Sequence, residues 1–136
     1  MKLTEPLFLT LDEVVEIHEE QVERYGGSSG LRDIAGLESA VATPQATFDG
    51  EFLHGSIPAM AAAYLYHLCQ NHPFIDGNKR AGANSAITFL LINDWEPTFE
   101  EEELVELVLS VASGTLTKPA LTSIFETRCR RLPRYS

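Results

Sequence analysis

The chain has little of what marks several large classes of protein. It carries two cysteines, Cys69 and Cys129, too few for a disulfide framework, so a reducing cytoplasm is the expected compartment. No apolar run is long and charge-free enough to span a bilayer, and the N-terminus does not read as a signal peptide, so no membrane association is expected. Basic residues are scarce as well, and the formal net charge of −10 argues against direct binding of nucleic acid.

The few basic residues are unevenly distributed. Four arginines occupy the last nine positions: Arg128, Arg130, Arg131 and Arg134. We interpret these as a solvated chain end rather than a docking patch. Lys79 and Arg80 form a second group near the middle of the chain. A positive pair kept there by a negative protein indicates a place that holds a small anion.

Apolar residues recur at helical spacing along most of the chain, which predicts an all-α protein. At 136 residues, positions 1–136 are expected to form a single domain with its own core. The pattern predicts helices over about 11–25, 34–42, 57–69, 78–92, 100–114 and from about 117 onwards. Thr10-Leu-Asp-Glu13 and Thr98-Phe-Glu-Glu101 read as capping boxes before the first and fifth helices, and Asp33 can cap the second.

Two connections between these helices stand out. Gly26-Gly-Ser-Ser-Gly30 reads as a flexible loop after the first helix. Residues 46–53, here called the flap, read as a short β-hairpin because Asp49-Gly50 is a hairpin turn dipeptide. A two-stranded ribbon is marginal alone, so the flap must lean on the helices and leave its outer edge open.

The chain is organised around the signature loop, Asn71-His-Pro-Phe-Ile-Asp-Gly-Asn-Lys-Arg80. The helices on both sides of it are apolar nearly all round, which is typical of core helices. Strongly polar groups between two core helices need a reason, because burying them without partners is costly.

The second half of this loop has the composition of a phosphate site. The fourth helix begins near Asn78, and its free N–H groups and positive dipole end attract anions. Gly77 lets an anion approach without a Cβ in the way. Asn78, Lys79 and Arg80 add hydrogen-bond donors and positive charge.

Asp76 and His72 add chemistry that a plain anion site does not need. A carboxylate repels phosphate unless a cation lies between them, and Mg²⁺ commonly takes one carboxylate together with phosphate oxygens. His72 approaches from the preceding helix and is the obvious general base, because its ordinary pKa lies near neutrality. Together these residues suggest transfer of part of a nucleotide to a hydroxyl group.

Other interpretations of single residues remain open. Asp76 could instead N-cap the fourth helix. A zinc site from His67, Cys69 and His72 is disfavoured, because the two histidines are five positions apart and no fourth ligand is evident. The remaining histidines, His18 and His54, are interpreted as structural or exposed.

Residues 72–80 resemble the signature of Fic-fold proteins, His-Pro-Phe-x-(Asp/Glu)-Gly-Asn-(Gly/Lys)-Arg. Lys79 stands where most Fic enzymes have Gly, and in this it resembles the death-on-curing (Doc) toxin branch. Residues 25–33, 37–45 and 111–114 also resemble segments of that branch. The resemblance spans about residues 8–128 and implies a helical Fic fold with a hairpin flap over the active site. It implies that His72 is the base, that Asp76 binds Mg²⁺ and that Gly77, Asn78, Lys79 and Arg80 bind the phosphates of ATP.

The same resemblance implies a function. Most Fic enzymes transfer AMP to a protein hydroxyl and often carry a second Arg three positions after the first, where this chain has Ala83. In the Doc branch these departures accompany a reversed nucleotide and transfer of the γ-phosphate. The implied protein is the toxin of a type II toxin–antitoxin pair, a kinase that phosphorylates Thr or Ser on a target such as elongation factor Tu and arrests translation.

The flap bears on how the protein is regulated, and two rival functions remain open. Residues 47–52 have the spacing of the autoinhibitory Fic motif, (Ser/Thr)-x-x-x-Glu-(Gly/Asn), but end in Phe52, so restraint by a cognate antitoxin is expected. One rival function is AMP transfer within the same fold. Another is a non-catalytic inhibitory module whose open flap edge pairs with a strand of its partner.

Overall fold

The computed structural model describes residues 5–133. Its six α-helices are α1 Leu11–Tyr25, α2 Ile34–Ala42, α3 Ile57–Asn71, α4 Asn78–Ile92, α5 Glu101–Ala112 and α6 Lys118–Arg128. The strands are β1 Thr47–Phe48, β2 Glu51–Phe52, β3 Trp95–Pro97 and β4 Cys129–Arg131. The predicted all-α fold with a small hairpin is confirmed. Within the described part of the chain, no helix is long and apolar enough to cross a membrane.

Helices α3 and α4 form the centre of the molecule, with α1 packed on α4 and α2 and α6 packed on α3. The central pair approach closely at Gly82, where an added Cβ would lie 3.3 Å from both the Leu65 carbonyl oxygen and Cys69 Sγ. The buried Tyr64 hydroxyl accepts a hydrogen bond of 2.9 Å from the Leu9 N–H, which ties the chain before α1 to α3. Burial raises the pKa of Tyr64 to about 12, so the phenol stays neutral.

The N-termini of the first two helices are capped as predicted. Thr10 and Glu13 form a reciprocal capping box at α1. At α2, Asp33 Oδ1 accepts from the Gly36 N–H at 2.9 Å. These bonds satisfy N–H groups that would otherwise have no partner.

The flap forms the predicted hairpin. Thr47 pairs with Phe52 and Phe48 pairs with Glu51. Asp49 and Gly50 both have positive φ, 55° and 83°, as a type I′ turn requires. The Phe48 side chain is 75% exposed, so the flap presents an aromatic ring to solvent.

The start of α5 corrects one prediction. Its N-cap is Glu100, whose N–H donates to Glu103 Oε1 at 2.9 Å, and not Thr98. The Thr98 hydroxyl and N–H instead both donate to the carbonyl of Arg128, at 2.6 and 2.8 Å. Thr98 therefore ties the end of α6 to the chain before α5.

A second ribbon, β3 with β4, was not predicted. Glu96 pairs with Arg130 in its register, and Arg130 Nε lies 2.6 Å from Glu96 Oε2. Arg128 makes a two-bond contact with Glu103, 2.9 Å for each bond, which lowers the pKa of Glu103 to about 2. The interpretation of a merely solvated end is therefore wrong for Arg128 and Arg130, whereas Arg134 lies outside the described residues.

Candidate active site

The signature loop reverses the chain between α3 and α4 through two left-handed residues. His72 ends α3 with φ 47° and ψ 54°, and Gly77 is the N-cap of α4 with φ 77° and ψ 20°. A Cβ on Gly77 would meet only ordinary contacts, 3.5 Å from two His18 ring atoms. The backbone conformation, rather than lack of space, therefore favours glycine at this position.

The N-terminus of α4 has the properties of an anion site. The first intrahelical bond runs from the Ala81 N–H to the Gly77 carbonyl at 2.9 Å. The N–H groups of Asn78, Lys79 and Arg80 precede that bond and have no partner within the helix. No acidic residue lies in this first turn, so the positive end of the helix dipole and the charges of Lys79 and Arg80 all favour an anion.

These groups open onto one pocket of about 380 Å³. It brings together five of the six predicted site residues: Asp76, Gly77, Asn78, Lys79 and Arg80. Helix α5 supplies an apolar wall from Leu104, Val105, Val108 and Leu109. The pocket thus has a cationic floor and an apolar side, a combination that suits a nucleotide.

The side chains of Arg80 and Asn78 are held in place by the protein. The guanidinium carbon of Arg80 lies 4.8 Å from the centre of the Tyr25 ring. Asn78 Oδ1 accepts from the Phe74 N–H at 2.9 Å, and its Nδ2 donates to the Phe74 carbonyl at 3.0 Å. The role of Asn78 in phosphate binding stays a prediction, and its backbone N–H is the group best placed for it.

Asp76 does not cap α4, because the N-cap of that helix is Gly77 and no side chain makes a cap bond there. Asp76 Oδ1 accepts from the Gly77 N–H at 2.8 Å, and its Oδ2 lies 3.4 Å from the Ser28 N–H. The exposed carboxylate keeps further lone pairs for a cation. Residues 5–133 contain no group of three or more His, Cys, Asp or Glu side chains that could hold a metal ion, and the role of Asp76 as a Mg²⁺ ligand stays a prediction.

His72 is exposed and does not line the pocket. Among the described residues its imidazole has no hydrogen bond or ion pair, which leaves both ring nitrogens available to a substrate. Its carbonyl, by contrast, accepts from Arg32 Nε at 2.7 Å. His72 therefore combines a fixed backbone with an unengaged side chain.

The signature loop is held by residues 26–33, here called the clamp segment, whose contacts with it were not predicted. Ile75 donates its N–H to the Gly30 carbonyl at 3.1 Å, and the N–H groups of Arg32 and Asp33 both donate to the Pro73 carbonyl. Far from being a free loop, the clamp segment is bonded along most of its length. The glycines of the clamp segment predict a turn, but no local pattern in the sequence indicates that the segment bonds to the signature loop.

His18 supports the loop from below. It is 1% exposed, its ring stacks on Phe74 at 3.8 Å between centroids, and its Nε2 lies 2.7 Å from the Asp76 carbonyl oxygen. A carbonyl only accepts, so Nε2 carries the proton and donates it. The prediction of a structural role for His18 is confirmed.

The geometry does not favour a zinc site. His67 Nε2 lies 2.9 Å from Lys118 Nζ, and Cys69 is buried against α4. Burial raises the pKa of the Cys69 thiol to about 12, so the free side chain stays protonated.

Known proteins are similar in sequence to the part of the chain that forms this site. The family model described as the Fic/DOC family matches residues 8–90, a range that contains both the clamp segment and the signature loop. The chain is 31% identical over 106 residues to "Protein kinase doc" of Escherichia phage P1, covering 78% of this chain and 82% of that protein. It is 38% identical over 91 residues to "Toxin Doc" of Mycolicibacterium smegmatis, covering 65% and 70%. The chain therefore belongs to the Fic/DOC family, in its Doc branch.

Proposed function

We propose that this protein is the toxin of a type II toxin–antitoxin pair and acts in the cytoplasm as a protein kinase. It transfers the γ-phosphate of ATP to a Ser or Thr hydroxyl of a target protein. The observation that carries this proposal is the pocket at the N-terminus of α4, in which Asp76, Lys79 and Arg80 meet. The similarity to a phage protein named a protein kinase supports phosphate transfer over the alternatives.

In this proposal each residue has one role. His72 takes the proton of the target hydroxyl at a ring nitrogen while that oxygen bonds to the γ-phosphorus. The bond from the γ-phosphorus to the bridging oxygen breaks, and ADP leaves with that oxygen. The N–H groups of the first turn of α4, with Lys79 and Arg80, hold the phosphates and offset the charge of the transition state. Mg²⁺, when held by Asp76, would neutralise further phosphate charge.

The partners belong to the proposal as well. By family resemblance the target is elongation factor Tu, and its phosphorylation would arrest translation. The Doc name of both relatives supports restraint by a cognate antitoxin. The flap, with its exposed Phe48, is the element expected to hold the target.

Paired labelling tests the reaction. The purified protein, Mg²⁺ and a bacterial lysate are incubated with ATP labelled on either the α- or the γ-phosphate, beside the His72→Ala and Asp76→Ala variants. We expect label from γ alone, reduced roughly 10²–10⁴-fold by His72→Ala as for a lost general base. Asp76→Ala should reduce it as well, and melting temperatures check that both variants are folded.

The other outcomes identify the rivals. Label from the α-phosphate would show AMP transfer and would mean that Lys79 does not set the direction of the nucleotide. Full activity in His72→Ala would contradict the assignment of the base. Toxicity that survives Asp76→Ala in cells would favour the non-catalytic module, since a binder does not need a metal ligand.

A further inference from the structure

The residue that ends α3, His72, has a backbone conformation that neighbouring groups must stabilise. His72 is left-handed, with φ 47° and ψ 54°, a region that only a few per cent of residues other than glycine occupy, although histidine is among the types enriched there. The direction in which an imidazole leaves the backbone depends on that conformation. Relaxation of His72 to the right-handed region would therefore send its side chain elsewhere.

The guanidinium of Arg32 contacts this point directly. Its Nε donates to the His72 carbonyl at 2.7 Å, and its Nη2 donates to the Asn71 carbonyl at 3.1 Å. The last carbonyls of a helix have no partner within it, and the dipole favours a cation there. One planar fork thus satisfies the carbonyl of His72 and the carbonyl before it.

The neighbouring backbone is held on both sides. The N–H groups of Arg32 and Asp33 donate to the Pro73 carbonyl at 2.8 and 3.0 Å. Asn71 Nδ2 donates to the Gly36 carbonyl at 3.0 Å. Three consecutive carbonyls, those of residues 71 to 73, therefore accept bonds from the clamp segment, and the Arg32 side chain supplies the bonds to two of them.

We infer that Arg32 is a positioning residue for the proposed transfer, because it holds His72 in the left-handed conformation from which the imidazole reaches the target hydroxyl. The inference rests on the proposed function for its catalytic consequence only. Its structural part, that His72 is left-handed because of Arg32, stands independently. A lysine would not replace the guanidinium, since an ammonium lacks the planar fork that reaches two carbonyls at once.

The test combines kinetics with a direct measurement on His72. Arg32→Ala and Arg32→Lys are compared with Arg24→Ala, which removes the same charge from an exposed arginine whose one ion pair within residues 5–133 is with Glu20, at 3.3 Å. In the Arg32 variants we expect kcat to fall by roughly ten- to a hundredfold, with KM for ATP nearly unchanged. The ¹³Cα and ¹³Cβ chemical shifts of His72 should leave their left-handed values in Arg32→Ala. Added guanidinium should restore part of the kcat of that variant, and Arg24→Ala should match the wild type throughout.

Each contrary result has a separate meaning. Wild-type His72 shifts and wild-type kcat in Arg32→Ala would overturn the inference, as would a rise in KM for ATP as large as the fall in kcat. Full activity in Arg32→Lys would overturn the argument from the guanidinium fork, and this milder variant keeps the test decisive if Arg32→Ala does not fold. If the wild type transfers no phosphate but the His72 shifts still respond to Arg32, the proposed function fails and the positioning role stands.

Discussion

The surroundings of the Asp76 carboxylate show how closely single residues are fitted at this site. A Cβ on Gly27 would lie 2.8 Å from Asp76 Oδ2, a distance that real Cβ atoms do not adopt. Gly27 also has φ 110°, so two independent constraints select glycine there. The absence of a side chain at residue 27 is thus part of the proposed metal site.

Gly27→Ala should displace the Asp76 carboxylate and raise the Mg²⁺ concentration needed for half-maximal transfer. Gly26→Ala is the matched control, because Gly26 also has a positive φ of 86° but an added Cβ would meet nothing within 4 Å. Both variants should lose about 1 kcal/mol of unfolding free energy from backbone strain. Magnesium titrations of transfer activity, with urea unfolding alongside, compare the two. An equal magnesium requirement in both variants would show that Gly27 has no steric role.

Most individual site residues could be predicted from the sequence, because Asp76, Gly77, Lys79 and Arg80 lie within five positions and their chemistry follows from residue type. The left-handed conformation of His72 could not, since a positive φ is uncommon even for histidine, which is one of the residue types enriched there. Arg32 was missed for a different reason. Its hydrogen bonds reach residues about forty positions away, which only the packed structure brings near.

Among the elements, the flap is a two-stranded ribbon, so the outer edge of each of its strands pairs with no other strand of residues 5–133. Phe48 and Glu51 flank the two-residue turn and exchange bonds with each other, and Leu53 donates to the Ala46 carbonyl at 3.0 Å. Alternation along β1 then directs the N–H of Thr47 away from β2. This outer edge can accept a strand from another protein.

Thr47→Pro should abolish phosphorylation of the protein target while leaving ATP binding intact. Proline removes the outward N–H of Thr47 and leaves the bonds between β1 and β2 in place, and Ala46 already has the extended conformation, φ −62° and ψ 140°, that a following proline requires. Thr47→Ala is the control, since it loses the side chain but keeps the N–H. Target labelling and nucleotide titration are measured for both. Loss of ATP binding in the proline variant would count against strand addition.

Helix positions could be predicted because apolar spacing and caps are local signals, and the predicted helices agree with the observed ones within a few residues. The ribbon of β3 and β4 could not be predicted. Each strand has three residues, too few for alternation to be read, and their pairing joins residues more than thirty positions apart. The predicted N-cap of α5 was wrong because Thr98 instead donates its hydrogen bonds to the carbonyl of Arg128 at the end of α6.

On the scale of the whole molecule, one half-buried cluster joins three parts of the chain. Lys118 Nζ at the start of α6 lies 2.9 Å from His67 Nε2 on α3, and His54, between the flap and α3, has a buried Nδ1 without a partner among the described residues. Burial, and then the charge of Lys118, lower the pKa of both histidines, that of His67 to about 4. The fold therefore favours their neutral forms.

The free energy of unfolding should fall as pH is lowered from 6.5 towards 4. Over this range the unfolded chain protonates His67, with an ordinary pKa of 6.5, while the folded chain does not. Keeping His67 neutral in the folded chain therefore costs no stability above pH 6.5 and costs more as the pH falls. The loss of unfolding free energy should be roughly 1–2 kcal/mol, since partial solvent access screens the site. Urea unfolding at several pH values measures it.

His67→Gln is the control for this pH effect, since glutamine does not titrate, and its stability should be flatter between pH 6.5 and 4.5. The pKa of Glu103 is also lowered, to about 2 from 4.5, so its contribution is lost only on further acidification and does not interfere in that range. Parallel profiles for the wild type and His67→Gln would show that this histidine does not set the acid limit.

The bonds between the clamp segment and the signature loop make the site a composite that cannot be transplanted as one contiguous peptide. A gene fragment that began after residue 33 would encode every residue of the signature loop and none of the clamp segment. The same holds for recombination, because an exchange of the region between α1 and α2 would alter the site without touching the signature. A match to the signature alone therefore does not show that the segment which shapes this site is also present.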